Sequence, residues 1–342
     1  MRAVGYQAPG PIDRTDALLD IELPKPEPTG RDLLVEVRAV SVNPVDTKVR
    51  KSTPPDGAPW KVLGWDAAGV VAAVGPDVTG FAPGDEVFYA GSILRPGSNG
   101  EFQLVDERIV GPKPRSLGMA EAAALPLTAI TAWETLFDRL DVRRPVRGAA
   151  NALLIIGGAG GVGSVAIQLA RRLTDVTVIA TASRPETREW VSSLGAHHVV
   201  DHASALAPQV AALGSGPPAF VFSTTETDRH LTDIAELIAP QGRFGLIDDP
   251  TAFKPNVFKR KSVSIHWELM YTRPIYGTVD MAEQGRLLAE VARLVDAGVL
   301  RTTATQRFSP IDAANLKRAH ELIEGGRTRG KIVLEGFAPT PA

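Results

Sequence analysis

The sequence predicts an α/β protein in which a doubly wound parallel sheet, with helices on both its faces, is inserted into a β-rich domain made from the two ends of the chain. Three changes of pattern predict it. Up to about residue 110 the chain reads as short strands broken by Gly and Pro. From Ala152 apolar strands alternate with helical stretches, and after about residue 280 the chain returns to helices and one last strand. The length, 342 residues, exceeds one ordinary core and fits two domains. We place the β-rich domain at 1–125 with 280–342 and the inserted α/β domain at 126–279.

The elements follow in order. LLVEVRAVSV (33–42) is rich in β-branched residues, and GVVAAVG, DEVFYAG and EFQLVDERIV come after it with turn residues between them. At 119–137, MAEAAALPLTAITAWETLF changes to helical composition, and Pro126 is placed to break or kink the helix. The alternating segment supplies strands at LLIIGG, TVIATA, HVV, AFVFST, RFGLI and VSIHW, with helices such as VGSVAIQLARRL and PETREWVSSLG between them. In MAEQGRLLAEVARLVDAG, Met281, Leu288, Val291 and Val295 share a helical face. IDAANLKRAHELIEGG does the same with Leu316, Ala319 and Ile323, and stops at Gly325–Gly326. KIVLEG (331–336) reads as a buried strand.

The totals exclude several functions. A formal net charge of −2 without a long basic run leaves no footprint for nucleic acid. No stretch approaches the roughly 20 apolar residues of a membrane span, and MRAVGYQAPG lacks the apolar core of a signal peptide, so the expected location is the cytoplasm. The absence of cysteine rules out disulfides, a thiol nucleophile and thiolate zinc sites.

The strongest local signal is LLIIGGAGGVGSVAIQLARR (153–172). Gly158, Gly160 and Gly163 satisfy G-x-G-x-x-G directly after an apolar strand, and Gly161 and Val162 open a helix whose apolar face continues through Ala166, Leu169, Ala170 and Leu173. Gly158 is expected to allow the tight turn, Gly160 to let a pyrophosphate approach the backbone, and Gly163 to let helix and strand pack closely. Free N–H groups at the helix start then meet the negative charge. The second strand ends in Thr181, Ala182, Ser183 and Arg184, where an NAD site would carry Asp or Glu. A hydroxyl and a guanidinium suit a 2′-phosphate, which points to NADPH. Glu186 dissents, since a shifted turn would bring it to the ribose.

With these motifs placed, the chain from about residue 1 to 336 resembles the medium-chain dehydrogenase/reductase superfamily, which joins a GroES-like β domain to a Rossmann domain. Within it the sequence is most similar to quinone oxidoreductases and the proteins called zinc-type alcohol dehydrogenase-like. SVNPVDTKVR (41–50), VLGWDAAGVV (62–71), FYAGSILRPGSNGEFQLVDERIV (88–110), AAALPLTAITAWETLFDRL (122–140), LLIIGGAGGVGS and ATASRPETREWVSSLGA carry the resemblance. In zinc-dependent members the stretch matching GWDAAGVV carries Gly-His-Glu, whose His binds the metal; here those positions hold Trp65 and Asp66. The family's upstream Cys aligns with Asn43, its third ligand is a Cys this chain lacks, and the loop from Gly91 to Gly100 is too short for the structural zinc lobe. The resemblance therefore implies no metal at all.

Reduction of an unactivated carbonyl needs an electrophile to hold the alkoxide, whereas a quinone or α,β-unsaturated carbonyl is already polarised. The expected reaction is therefore hydride transfer from NADPH to a quinone or enone. The resemblance places Asn43 against nicotinamide or substrate, Thr128 at a helix facing the cofactor, and His202 at the adenine end. Asp46 is expected to hold its loop or pair with Lys48 or Arg50, and Lys48 replaces a Tyr of several quinone reductases. Thr225, Leu246, Ile247 and Asp248 sit at carboxyl ends of parallel strands, where such sheets bind ligands. Trp267 and Tyr271 are candidates for the substrate wall, Tyr271 with an O–H that can donate; Trp65 is read as a packing aromatic. The resemblance also implies a homodimer through the sheet edge at VSIHW. Two rival readings stand beside this one: an alcohol dehydrogenase with an unfamiliar metal set, and an NADPH-binding protein without turnover.

Overall fold

The β-branched run DLLVEVRAVSV forms the strand Asp32–Val42 in a computed structural model of the protein, which describes residues 1–338. Its alternate residues are buried on both faces, Leu33, Val35 and Val37 on one and Leu34, Val40 and Val42 among the rest, so it lies within a sheet and not at an edge. Contacts divide the chain into two units, Met1–Ile130 with the segment from Tyr271 onward, and Thr131–Met270.

In the first unit, a seven-stranded sheet runs in the order Ala304–Phe308, Lys331–Glu335, Asp32–Val42, Ala67–Val74, Glu86–Tyr89, Val110–Pro112, and Phe102–Asp106 also pairs with Asp32–Val42. Both ends of the chain thus meet in one sheet. The register brings three strand ends level with one another. Ile332 lies opposite Val42 and Ala67 opposite Val40, both antiparallel. One step beyond those pairs, Lys331 comes level with Asn43 and Asp66 with Ser41, whose N–H donates to the Asp66 carbonyl at 3.0 Å. The helix Glu283–Asp296 buries Leu288, Val291 and Val295. Ala313–Glu324 buries Leu316 and Ala319 together with His320, while Ile323, expected on that face, is only partly covered. The break at Pro126 is real: Met119–Ala123 ends, and the proline begins Pro126–Trp133, where a missing N–H costs nothing.

In the second unit, six parallel strands lie in the order His198–Val200, Thr177–Thr181, Ala150–Ile156, Pro218–Ser223, Arg243–Leu246, Ser264–Trp267. These are the six strands read from the sequence. Their buried side chains, such as Leu154, Ile179, Val221 and Phe244, join residues of the helices Leu206–Ala212 and Thr227–Leu237 in one core. The chain builds outward from Ala150–Ile156 in one direction and then restarts on its other side at Pro218–Ser223. That reversal leaves a crevice at the carboxyl ends of those two strands, which is where the glycine turn lies.

In the first unit, Arg50, 1% exposed, ties three segments together. Its guanidinium donates to the Gly10 carbonyl at 2.7 Å, to the Glu324 carboxylate and to His320 Nδ1 at 3.3 Å. As the acceptor in that last bond, His320 is neutral and carries its proton on Nε2. Burial, reinforced by the charges of Arg50 and Lys51, pushes its imidazole down to about 3. The unfolded chain takes up this proton near the ordinary 6.5, so acid favours unfolding, and the lost stability grows as pH falls from 6.5 toward 3. Relative to His320→Gln, which still offers Arg50 an acceptor, the natural protein should lose on the order of 2 kcal/mol between pH 7 and pH 5. Urea denaturation of both proteins at the two pH values measures this difference; parallel losses would show that His320 does not contribute.

Candidate functional site

Three adjacent strands of the first unit end side by side at Asn43, Asp66 and Lys331, and their side chains form one buried cluster. The Lys331 ammonium donates to the Val42 carbonyl at 3.0 Å, to Asp66 Oδ2 at 3.0 Å and to Asn43 Oδ1. Asn43 Nδ2 donates to Asp66 Oδ2 at 2.9 Å and to the Ser41 carbonyl at 3.3 Å. The remaining Asp66 oxygen accepts the Leu127 N–H at 2.8 Å. Lys331 can only donate and Asp66 accepts, so the Asn43 amide has one permitted orientation. Asp46 holds the loop from the other side, accepting the N–H of Asn43 at 2.7 Å and of Gly64 at 3.1 Å. The expected alternative of an Asp46–Arg50 pair is not formed, because Arg50 turns to Glu324 and His320.

One ammonium faces two buried carboxyls. Burial pushes Asp46 up to about 7, and the Asp66 charge adds to this while the Asn43 and Gly64 N–H groups and Lys331 oppose it. Burial also raises Asp66, against Lys331, the Leu127 N–H and Asn43. The two carboxyls therefore titrate as a coupled pair, with a proton on the cluster near neutrality. Trp65, fully buried, donates its indole N–H to the Ser92 carbonyl at 3.2 Å. Its ring meets Tyr271 edge-on, with centroids 6.4 Å apart. Thr128 donates its hydroxyl to the Leu125 carbonyl at 3.0 Å, so its proton is engaged within its own helix.

In the second unit the glycine turn has the expected strand before it and the helix Gly161–Leu173 after it. The glycine roles differ in one respect. The left-handed residue is Gly157, at φ +78°, and not Gly158, so the preceding glycine makes the turn. A Cβ on Gly158 would come within 3.0 Å of Ala180 Cβ, and one on Gly163 within 2.4 Å of the Gly157 carbonyl oxygen, so both serve close packing. A Cβ on Gly160 would meet nothing nearer than 3.5 Å, so its outer face is open at the helix start. That open cradle, with the first-turn N–H groups of Gly161, Val162 and Gly163, fits a pyrophosphate.

The other residues singled out in this unit fall at the same carboxyl ends of the strands. Thr181 Oγ1 accepts the Gly157 N–H at 3.0 Å and lies 3.1 Å from His202 Nδ1, which links the glycine turn to His202. Ser183 and Arg184 follow that strand, and the Arg184 guanidinium pairs with Glu186 at 2.9 Å. Thr225 is exposed. The Leu246 side chain lies in the core, which leaves only its backbone for a ligand, and Ile247 is partly covered. The Asp248 carboxylate is engaged by the Thr227 N–H at 2.8 Å and by the Thr227 hydroxyl, and so anchors the start of Thr227–Leu237. Trp267, 53% exposed, packs edge-on against Phe253 at the end of the outermost strand.

Residues 29–133 match the family model of the alcohol dehydrogenase GroES-like domain, and residues 194–334 that of the zinc-binding dehydrogenases. A zinc-type alcohol dehydrogenase-like protein of Staphylococcus aureus (strain MSSA476) is 42% identical over 98% of this chain and 99% of its own. The chain belongs to the medium-chain dehydrogenase/reductase superfamily. Among solved structures, a Rhizobium etli CFN 42 protein provisionally named a zinc-dependent alcohol dehydrogenase is 71% identical, with a TM-score of 0.98 and 99% of each chain covered. The quinone oxidoreductase of Coxiella burnetii is 26% identical, with a TM-score of 0.80 over 98% of this chain and 99% of its own. This dehydrogenase/reductase is therefore an oxidoreductase with a GroES-like domain and a Rossmann sheet.

The zinc in those family names does not fit the residues of this chain. Among the described residues no group of three or more His, Cys, Asp or Glu side chains is placed to hold a metal ion. The oxygen donors that do converge, Asp66 and Asn43, already coordinate the Lys331 ammonium. Sequence reasoning missed Lys331, because at the head of the apolar run KIVLEG it reads as the polar start of a strand. Only its pairing with Asn43 across 288 residues shows otherwise. Lys331→Met should lower stability by about 3–5 kcal/mol at pH 8, since it leaves a buried carboxylate unpaired. The freed carboxyl then binds a proton more tightly in the folded state, so the deficit against the natural protein should shrink toward pH 5. Denaturant titrations at both pH values measure it; an unchanged midpoint at pH 8 would remove Lys331 from the cluster's energetics.

Proposed function

We propose that this dehydrogenase/reductase is a zinc-independent, NADPH-dependent reductase that adds hydride to a quinone or an α,β-unsaturated carbonyl. The Lys331 cluster carries the reading. Where zinc-dependent relatives would gather metal ligands, this chain gathers an amide, two carboxyls and a built-in cation. A substrate that needs a Lewis acid is poorly served by that set, because the ammonium's three N–H groups are all engaged internally. A quinone or enone needs only hydrogen-bond donors at its oxygen. When bound, NADPH supplies the hydride. The protein's residues orient the reactants, and the balancing proton, on the α-carbon of an enone or the oxygen of a quinone, comes from solvent.

For the cofactor, the support is Ser183 and Arg184 at the end of Thr177–Thr181, where no carboxylate follows directly to take the ribose hydroxyls. Glu186 holds the Arg184 guanidinium, and a 2′-phosphate would compete for it. A mycobacterial protein of the same fold, 26% identical with a TM-score of 0.80, is complexed with NADPH. The Coxiella burnetii relative is a quinone oxidoreductase, which is in keeping with the substrate class. No helix among the described residues is long and apolar enough to cross a membrane, and the proposed setting is the cytoplasm. Among the described residues the strand Ser264–Trp267 pairs on one side only, with Arg243–Leu246, and we take this edge as the contact of a homodimer. Light scattering on the full chain should then give about twice 36.4 kDa, and a single-chain mass would end that idea.

The deciding experiment follows NADPH oxidation at 340 nm against 1,4-benzoquinone and a simple enone after exhaustive treatment with a chelator. Turnover that survives chelation is expected. Turnover that requires added zinc would favour the alcohol dehydrogenase reading, and NADPH binding without turnover would favour a binding protein. Arg184→Ala should weaken NADPH by on the order of 1.5–3 kcal/mol and NADH far less, as judged by fluorescence titration; equal losses would remove the phosphate assignment.

A further inference from the structure

The sequence points to both Asn43 and Tyr271 as residues that act on substrate, but the structure leaves them in opposite conditions. Both Asn43 amide protons are engaged, by Asp66 and by the Ser41 carbonyl, and its oxygen accepts from Lys331. All that remains on Asn43 is a lone pair. It can accept from a ligand N–H or O–H, but it has nothing to donate to a carbonyl oxygen. Lys331 is likewise closed, with each of its three N–H groups on an acceptor.

Tyr271 is the reverse. It is 2% exposed, and its hydroxyl has no hydrogen-bond partner among the described residues. A buried hydroxyl without a partner is destabilising, and native proteins keep few of them without a use. Tyr89 and Ser98 also carry buried hydroxyls without partners among the described residues. Tyr89 is raised by burial alone, whereas the Tyr271 phenol also feels the charges of Asp46 and Asp66 and packs edge-on to Trp65, which places it at the cluster. Burial and those charges hold the phenol well above its ordinary range. It therefore keeps its proton throughout the working pH range and serves as a hydrogen-bond donor, not as an acid.

Resting on the reductase reading, we propose that Tyr271 is the catalytic residue that donates a hydrogen bond to the quinone or enone oxygen, and that Lys331 is the positioning residue that turns Asn43 into an acceptor. The substrate's hydride-accepting carbon gains the electron pair, negative charge moves to the oxygen held by Tyr271 Oη–H, and no proton leaves the phenol.

Tyr271→Phe keeps the ring and removes the hydroxyl. It should reduce kcat for quinone and enone on the order of 100-fold while NADPH affinity is unchanged. The melting temperature should be no lower than that of the natural protein, because an unpartnered group has been deleted. A purely structural role predicts the opposite pair of results: lower melting temperature and unchanged kcat. A second measurement is independent of turnover. The carbonyl stretch of cyclohex-2-enone, bound in the presence of NADP⁺, should be shifted to lower frequency by the natural protein and not by Tyr271→Phe. A shift that persists in the variant overturns the assignment, as does failure of the enone to bind. If the natural protein binds and shifts the enone but never reduces it, the reductase reading and the catalytic role of Tyr271 fail, while its hydrogen bond to the carbonyl oxygen stands.

Discussion

A charged nitrogen in a dry interior is stable only where oxygen acceptors surround it at hydrogen-bond distance. In this protein Lys331 meets that demand with one carbonyl, one amide and one carboxylate, and much of the first unit depends on it. The acceptors come from the ends of two neighbouring strands and the ammonium from a third, so the strand register cannot slip. A shift of one residue along Lys331–Glu335 would send the ammonium to the opposite face of the sheet and leave Asp66 buried with its charge unbalanced. The same oxygens set the rotamer of Asn43, and Asp46 fixes the turn that precedes its helix. The Leu127 N–H on Asp66 extends the hold to the helix that begins at Pro126.

The second unit depends on a different rule. Its four inner strands are paired on both sides and largely buried, and its order reverses once, next to the glycine turn. Gly157 takes a backbone conformation that other residues avoid, Gly163 removes a side chain that would strike the Gly157 carbonyl, and Gly160 leaves open space. The Thr181 hydroxyl then ties that turn to the neighbouring strand and to His202. The cradle is built from backbone, and its chemistry is positive potential at a helix start.

The same division governs what was legible in the sequence. The parallel strands could be read because each is a short apolar run with its own turn signals, and the glycine motif because its parts lie within a few residues of one another. The choice between Gly157 and Gly158 was not legible, since adjacent glycines satisfy the same pattern and only φ distinguishes them. VLGWDAAGVV showed that something had replaced a metal motif, but not what. Lys331 stands 265 residues from Asp66, and an alternating or apolar pattern says nothing about a partner at that distance. Nor could the sequence show that Asp248 would be taken up by Thr227, because a carboxylate at a strand end looks the same whether it awaits a ligand or anchors a helix.

The distance between Lys331 and its acceptors also orders events as the chain is made. Residues 32–74 leave the ribosome with Asp46 and Asp66 but without the strand Lys331–Glu335, so the sheet has an open edge and its acids have no counter-charge. Every strand of the parallel sheet, by contrast, comes from one continuous stretch, 131–270, which can fold while the last seventy residues are still being added. The part that is synthesised first is therefore finished last. Closing so long a loop adds little free energy beyond closing a shorter one, since the entropic term grows only with the logarithm of length. The consequence is one of timing: a chain interrupted before residue 331 carries every strand of the parallel sheet, while the other sheet lacks one strand and Asp66 has no ammonium to balance it.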